Sequence, residues 1–200
     1  PHGDDGQGAV YRMVNRNKHS LHLDLKAPGA AALVHRLVGH YDVVVEQFRP
    51  GVMDRLGVGY ESLRAVQPRL IYCAISSYGS TGPLTERPGH DINFLALAGL
   101  SHHLGRAGTG PVPLGTLVGD VGGGTWAAVS GVLAAVIQRL RTGQGQHIDI
   151  SMTDGALLMN ALAATTALTS AEDMEAEATW INGGGLYDYY RTADDRWLSV

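Results

Sequence analysis

Leu21, Leu23 and Leu25 alternate with His22, Asp24 and Lys26, the period-two pattern of a short strand. The residues before them, 1–20, are polar and at first Gly-rich, and read as loop. Pro28 then opens a predicted helix over 29–39, because its locked φ suits a first helical turn. Val43-Val44-Val45-Glu46 is a short apolar strand, and Arg49-Pro50-Gly51 turns the chain. Short helices are predicted over 53–56 and 60–66. The second stops before Pro68, whose ring disfavours helical geometry in the preceding residue. Residues 70–76 form a third apolar run. Residues 21–76 therefore read strand–helix–strand–helix–strand, which argues for a parallel sheet with helical crossovers. No GxGxxG follows the first strand, so this region shows no dinucleotide fingerprint.

Residues 77–89 are rich in Gly, Ser, Thr and Pro and read as a long loop, a place where function often resides. A helix is predicted over 91–100 and a loop over 102–113. The run Gly119-Asp120-Val121-Gly122-Gly123-Gly124 reads as a glycine loop before a helix over 125–141, which ends at Thr142-Gly143. A strand over 147–151 and an Ala- and Leu-rich helix over 154–169 follow. Residues 170–177 are acidic and expected to be exposed, 182–185 form a glycine loop, and 187–191 with 197–200 read as a hairpin around Asp194-Asp195. No internal repeat is visible.

A chain of 200 residues with 44% hydrophobic and 17% charged residues can bury a core and is not globally disordered. Its net charge of −4 argues against a general nucleic-acid partner. The single cysteine, Cys73, excludes a disulfide or a Cys-based zinc site within the chain; in its apolar run it reads as a buried hydrophobe. Cytoplasmic location is the simplest expectation. No signal peptide or membrane-spanning helix is visible, since the apolar stretch 129–137 is short and broken by Ser130 and Gly131. The chain starts at Pro1 without Met and stops at Trp197-Leu198-Ser199-Val200, a strand in mid-course. It reads as a fragment.

Three segments could carry chemistry. Pro88-Gly89-His90-Asp91 places an imidazole and a carboxylate where a loop meets a helix. The plain alternative is that Asp91 caps the helix and His90 is a surface residue. Asp120 stands at the mouth of the glycine run, whose amides could bind an oxyanion; alternatively it caps a helix and the glycines make a turn. Arg49 and Arg55 follow a predicted parallel strand, where α/β folds bind ligands and where a guanidinium suits phosphate; they could equally be solvated surface residues. His102-His103 lacks metal-ligand spacing, so no metal is expected. Ser76-Ser77-Tyr78-Gly79 lacks the frame of a nucleophile elbow. Met152, Met159 and Met174 could line an acyl pocket, although core filling is the commoner role.

Together these segments resemble family III CoA-transferases of the CaiB/BaiF type, the group that includes α-methylacyl-CoA racemases. The carriers are Asn15-Arg16-Asn17-Lys18-His19-Ser20 with Leu23-Asp24-Leu25-Lys26; Glu46-Gln47-Phe48-Arg49-Pro50-Gly51-Val52; Leu70-Ile71-Tyr72 through Tyr78-Gly79-Ser80-Thr81-Gly82-Pro83; Pro88-Gly89-His90-Asp91; Gly119-Asp120; and Gly143-Gln144-Gly145-Gln146-His147-Ile148-Asp149.

The resemblance implies an α/β fold. A Rossmann-like parallel sheet spans 1–150, and 151–200 lead into a smaller α+β domain, with two subunits interlocked as a homodimer. It implies that Asp120 is the family's aspartate, a nucleophile in transferases and an acid/base in racemases. His90 stands where racemases have their histidine and transferases commonly have an aromatic residue, which favours the racemase branch. By the same resemblance Leu23, Asp24, Leu25 and Lys26 touch the adenosine end of CoA, and Gln47, Phe48, Arg49 and Arg55 hold phosphates and pantetheine. Gly89, Asp91, Ile92, Asn93 and Phe94 lie by the thioester. A glutamate that partners the histidine would fall beyond Val200, and a family arginine would precede the chain. The expected partner is an acyl-CoA, with no further cofactor, no nucleic acid and no membrane. The alternatives are a CoA-transferase acting through an Asp120 acyl intermediate and a protein that binds acyl-CoA without turnover.

Overall fold

The computed structural model describes residues 7–170 and 175–200. The runs at 43–46 and 70–76 become β1 (Val43–Glu46) and β2 (Ile71–Ser76), and the strand predicted over 147–151 becomes β3 (Gln146–Ser151). They form one parallel sheet in the order β1-β2-β3, with Val43 opposite Ile71 and Ile71 opposite Gln146. Parallel neighbours need long crossovers. The first is made by α3 (Val52–Arg55) and α4 (Tyr60–Val66), and α2 (Ala30–Val38) precedes β1. On this side of the sheet Val38, Val58, Leu63, Leu70 and Tyr72 are buried as one cluster. Each buried side chain of this size contributes about 1.5–3 kcal/mol. Cys73, fully buried in β2, is free.

The second crossover carries α5 (Asp91–Leu97), a 3-10 turn (Leu100–His102), a π-helical segment (Gly119–Trp126) and α6 (Ala127–Thr142). The last two run on as one helix of 24 residues, long and apolar enough to cross a bilayer by length and composition alone. One face of it lies on the sheet, where Gly131 meets Ile148. The other face leaves Trp126, Leu133, Ile137 and Leu140 exposed. After β3 come α7 (Met152–Met159), α8 (Ala161–Ser170) and an antiparallel hairpin of β4 (Tyr189–Arg191) and β5 (Trp197–Ser199), turned at Asp195 with φ 60.

Several expectations need correction. Within the predicted N-terminal loop lies a short helix, α1 (Ala9–Val14). The strand over 21–25 does not form. Leu23 and Leu25 are partly buried as the alternation suggests, but among the described residues no neighbouring strand offers ladder hydrogen bonds. The helix over 154–169 starts earlier and breaks in two at Asn160, whose side-chain amide donates to the Ala98 carbonyl (2.8 Å) and whose Oδ1 meets His103 Nε2 (2.8 Å). A side chain bonded to another element's backbone competes with helix continuation. Glu177, expected in an exposed acidic run, is partly buried and paired with Arg106 (2.8 Å). Met174 lies outside the described residues.

Candidate active site

The carboxyl ends of parallel strands open a crevice where the crossovers diverge. Here that edge holds a cavity of about 320 Å³. Gln47, Phe48 and Arg49 line it just after β1, Ser76 and Ser77 at the end of β2, and Met152 just after β3. The end of the 77–89 loop closes one wall with Arg87, Gly89 and His90. Glu46 sits behind the Phe48 turn. Its Oε2 accepts the Phe48 amide (2.6 Å) and its Oε1 the Tyr72 hydroxyl (3.4 Å). Burial pushes the Glu46 carboxyl above the usual carboxylate range, against those two hydrogen bonds.

His90 occupies the N-cap position of α5 in extended backbone, and its amide donates to Asn93 Oδ1 (2.9 Å). Asp91 is the first residue of α5 and is only 6% exposed. It therefore does not cap the helix. Its Oδ1 accepts the backbone N–H of Asp120 (2.9 Å), which ties α5 to the start of the π-helical segment. The Asp120 carboxyl is raised above its ordinary range, first by burial, then by the nearby Asp91 charge. A charge on His90 acts in the opposite direction. His90 is on the cavity wall, whereas Asp120 is not among the residues that line it and is tied to α5 through Asp91. An imidazole and a carboxyl of raised pKa are groups that can hold and release protons.

The run 119–124 is not a loop. It is wound as a π-helix, a conformation frequent at functional sites. Its glycines serve packing. Gly124 faces the Met152 side chain, Gly122 faces the thioether of Met159, and Gly123 lies directly on the backbone of α7 at Gly155. They are spent on this helix crossing and are not splayed toward an oxyanion, contrary to the sequence expectation.

Other expected site residues lie elsewhere. Leu23, Asp24, Leu25 and Lys26 do not line the cavity; there the Lys26 amide donates to Asp24 Oδ1 (2.9 Å) in a local turn. Arg55 lies over Gly51, its Nη1 3.2 Å from where a Cβ would stand, and also misses the cavity wall. Ile92 is exposed, and Phe94 is buried beneath the loop against Tyr78. Ser76, Ser77 and Arg87 carry no ligand signal of their own in the sequence, although the position of the two serines just where β2 ends marks them for the strand-end crevice. Of the methionines that could line an acyl pocket, Met152 is on the cavity wall and Met159 packs against Gly122.

Residues 1–200 match the family model of CoA-transferase family III. The chain is 40% identical over 200 residues to the alpha-methylacyl-CoA racemase of Homo sapiens, covering 98% of this chain and 52% of that protein. It is 42% identical over 166 residues to the acetyl-CoA:oxalate CoA-transferase of Acetobacter aceti, covering 78% of this chain and 42% of that protein. A crystal structure of a CaiB/BaiF family protein from Brucella suis superimposes with a TM-score of 0.86 at 32% identity, covering 98% of this chain and 52% of that one. The chain spans about half the length of the curated relatives it matches.

Proposed function

The chain belongs to CoA-transferase family III, a family of enzymes that act on CoA thioesters, and on that premise we propose that it belongs to an isomerase that epimerises the α-carbon of 2-methylacyl-CoA thioesters. The observation that supports this reading is His90 on the cavity wall, next in sequence to Asp91, whose carboxylate accepts the Asp120 amide. Inverting a carbon α to a thioester needs one group to take the α-proton from one face and another to deliver a proton to the opposite face. The C–H electrons pass into an enolate, and reprotonation returns them to a new C–H bond with either configuration. His90 and Asp120 are two groups of this kind, and burial raises the pKa of Asp120 in the direction of neutral pH.

CoA would lie along the strand ends, its phosphates toward Arg49 and Arg87 and its thioester toward His90 and Met152. We assign residues 1–150 to the CoA-binding domain and 151–200 to the lead into a smaller one, in a cytoplasmic homodimer that needs no cofactor besides the substrate's CoA. A second reading rests on the transferases among the relatives: Asp120 attacks the acyl-CoA carbonyl, expelling CoA thiolate and forming a mixed anhydride. The thiolate attacks the aspartyl carbonyl, releasing the first carboxylate and leaving an aspartyl-CoA thioester. The acceptor carboxylate attacks that thioester, expelling CoA thiolate, which takes the acceptor's acyl group from the second anhydride and frees Asp120.

The test is incubation of the whole protein with a 2-methylacyl-CoA in D2O, followed by mass spectrometry, beside His90→Ala. Racemase chemistry predicts α-deuterium incorporation that His90→Ala abolishes. Transfer of CoA to an added carboxylic acid through a trapped Asp120 adduct, without exchange, would establish the transferase instead.

A further inference from the structure

The 78–89 loop reaches the cavity at its far end, and both its ends are held. At its start the Gly79 amide donates to Ser76 Oγ (2.9 Å). The Ser80 amide and hydroxyl both donate to Asp149 Oδ2 on β3 (2.9 and 2.5 Å). The Thr153 amide and hydroxyl donate to the Ser77 carbonyl (3.1 and 2.9 Å). At its far end the His90 amide is bound by Asn93.

One side chain joins the two ends. The Tyr78 ring stands edge-on against Phe94 of α5, with centroids 5.8 Å apart at 85°. Its hydroxyl reaches the Pro88 carbonyl at 3.5 Å, a long contact. Gly89 lies between the two rings: a Cβ there would stand 2.5 Å from the Tyr78 hydroxyl oxygen and 2.6 Å from Phe94 Cε1. The next residue is His90. A backbone pressed between two rings has little freedom, and the residue that follows inherits that placement.

We propose that Tyr78 is a positioning residue, whose ring clasps the 78–89 loop through Gly89 and Phe94 and so sets the place of His90 on the cavity wall. This rests on the reading of His90 as a proton-transfer group. The ring packed on Phe94, not the hydrogen bond of the hydroxyl to Pro88, carries the effect, because that hydrogen bond is long.

The experiment compares Tyr78→Phe, Tyr78→Leu and Gly89→Ala in the whole protein. It reads kcat and KM for α-proton exchange and, independently of activity, the His90 ring resonance in histidine-labelled protein, assigned by its loss in His90→Gln. Tyr78→Phe is expected to keep kcat within about threefold and leave the resonance in place. Tyr78→Leu and Gly89→Ala are expected to shift the resonance and lower kcat at least about tenfold at nearly constant KM, as sub-ångström misplacement of a reacting group does. A His90 resonance unmoved in folded Tyr78→Leu, a loss confined to KM, or an equal loss in Tyr78→Phe would overturn the proposal. If the wild type shows no exchange, the racemase reading falls, and the resonance alone still decides the clasp.

Discussion

Gly122 and Gly123 are neighbours in one helix, yet alanine should have opposite effects at the two. A Cβ at Gly123 would stand 2.5 Å from the Met152 carbonyl oxygen and 2.9 Å from the Ala156 nitrogen, both backbone atoms of α7. Ordinary contact begins near 3.4 Å, so the two helices must part by roughly 0.9 Å. Overpacking against atoms that cannot rotate away costs about 1–3 kcal/mol. The gain in helix propensity from Gly to Ala offsets up to about 1 kcal/mol of it. At Gly122 the obstacle is the thioether end of Met159, a flexible and 44% exposed side chain that can swing aside. Gly122→Ala should therefore be neutral or slightly stabilising, and Gly123→Ala should lose about 1–2 kcal/mol in urea unfolding followed by circular dichroism. Asp120 rides on the turn before Gly123. A shift of that size should lower α-proton exchange by a factor approaching 100 in Gly123→Ala and hardly at all in Gly122→Ala. Equal stability and rate in the two variants would refute the close helix crossing.

Other outcomes follow from the same contacts. Asp120→Asn should abolish turnover yet unfold at a higher temperature than wild type at neutral pH. The folded-state pKa of Asp120 is raised, so the stability it contributes is present in acid and lost as pH rises through that pKa; the gap between the two proteins should close in acid, and a constant gap would contradict the assigned burial. Arg49→Ala should weaken CoA binding by about tenfold or more in calorimetry, the loss of one charge-assisted phosphate contact, and the deficit should shrink in high salt. Asp149→Ala removes the acceptor of two Ser80 hydrogen bonds; it should cost about 1 kcal/mol in urea unfolding and raise amide exchange at Ser80.

Two strands of the parallel sheet were legible because Val43-Val44-Val45 and residues 70–75 are apolar runs, as buried parallel strands are, and the third because Ile148 and Ile150 alternate with His147, Asp149 and Ser151. The pairing of 21–25 was not, because alternation reports a half-buried face and says nothing about whether a neighbour offers hydrogen bonds. The glycines after Asp120 misled for a related reason. Glycine signals close approach of something to the backbone, but only the fold shows that the visitor is α7 and not a ligand. His90 and Asp120 could be paired only through the family resemblance. The agent of that pairing, the buried Asp91 carboxylate on the Asp120 amide, spans 29 positions and left no local trace. The role of Asn160 as a helix breaker depended equally on a distant carbonyl, at Ala98.

The strand order β1-β2-β3 also orders events in time. Ile71 pairs with Val43 behind it and with Gln146 ahead, so closing the second pairing spans a chain segment more than twice as long as the first. On loop entropy alone that difference is worth only about 1 kcal/mol. On a ribosome it is larger in effect: at about 5–20 residues per second, β3 emerges several seconds after β2. During that interval α2, α4 and β2 can already gather Val38, Leu63, Leu70 and Tyr72 into their cluster, while the far edge of β2 stays open. A nascent chain stalled short of Gln146 should bind a trigger-type chaperone through that edge and release it once β3 has docked.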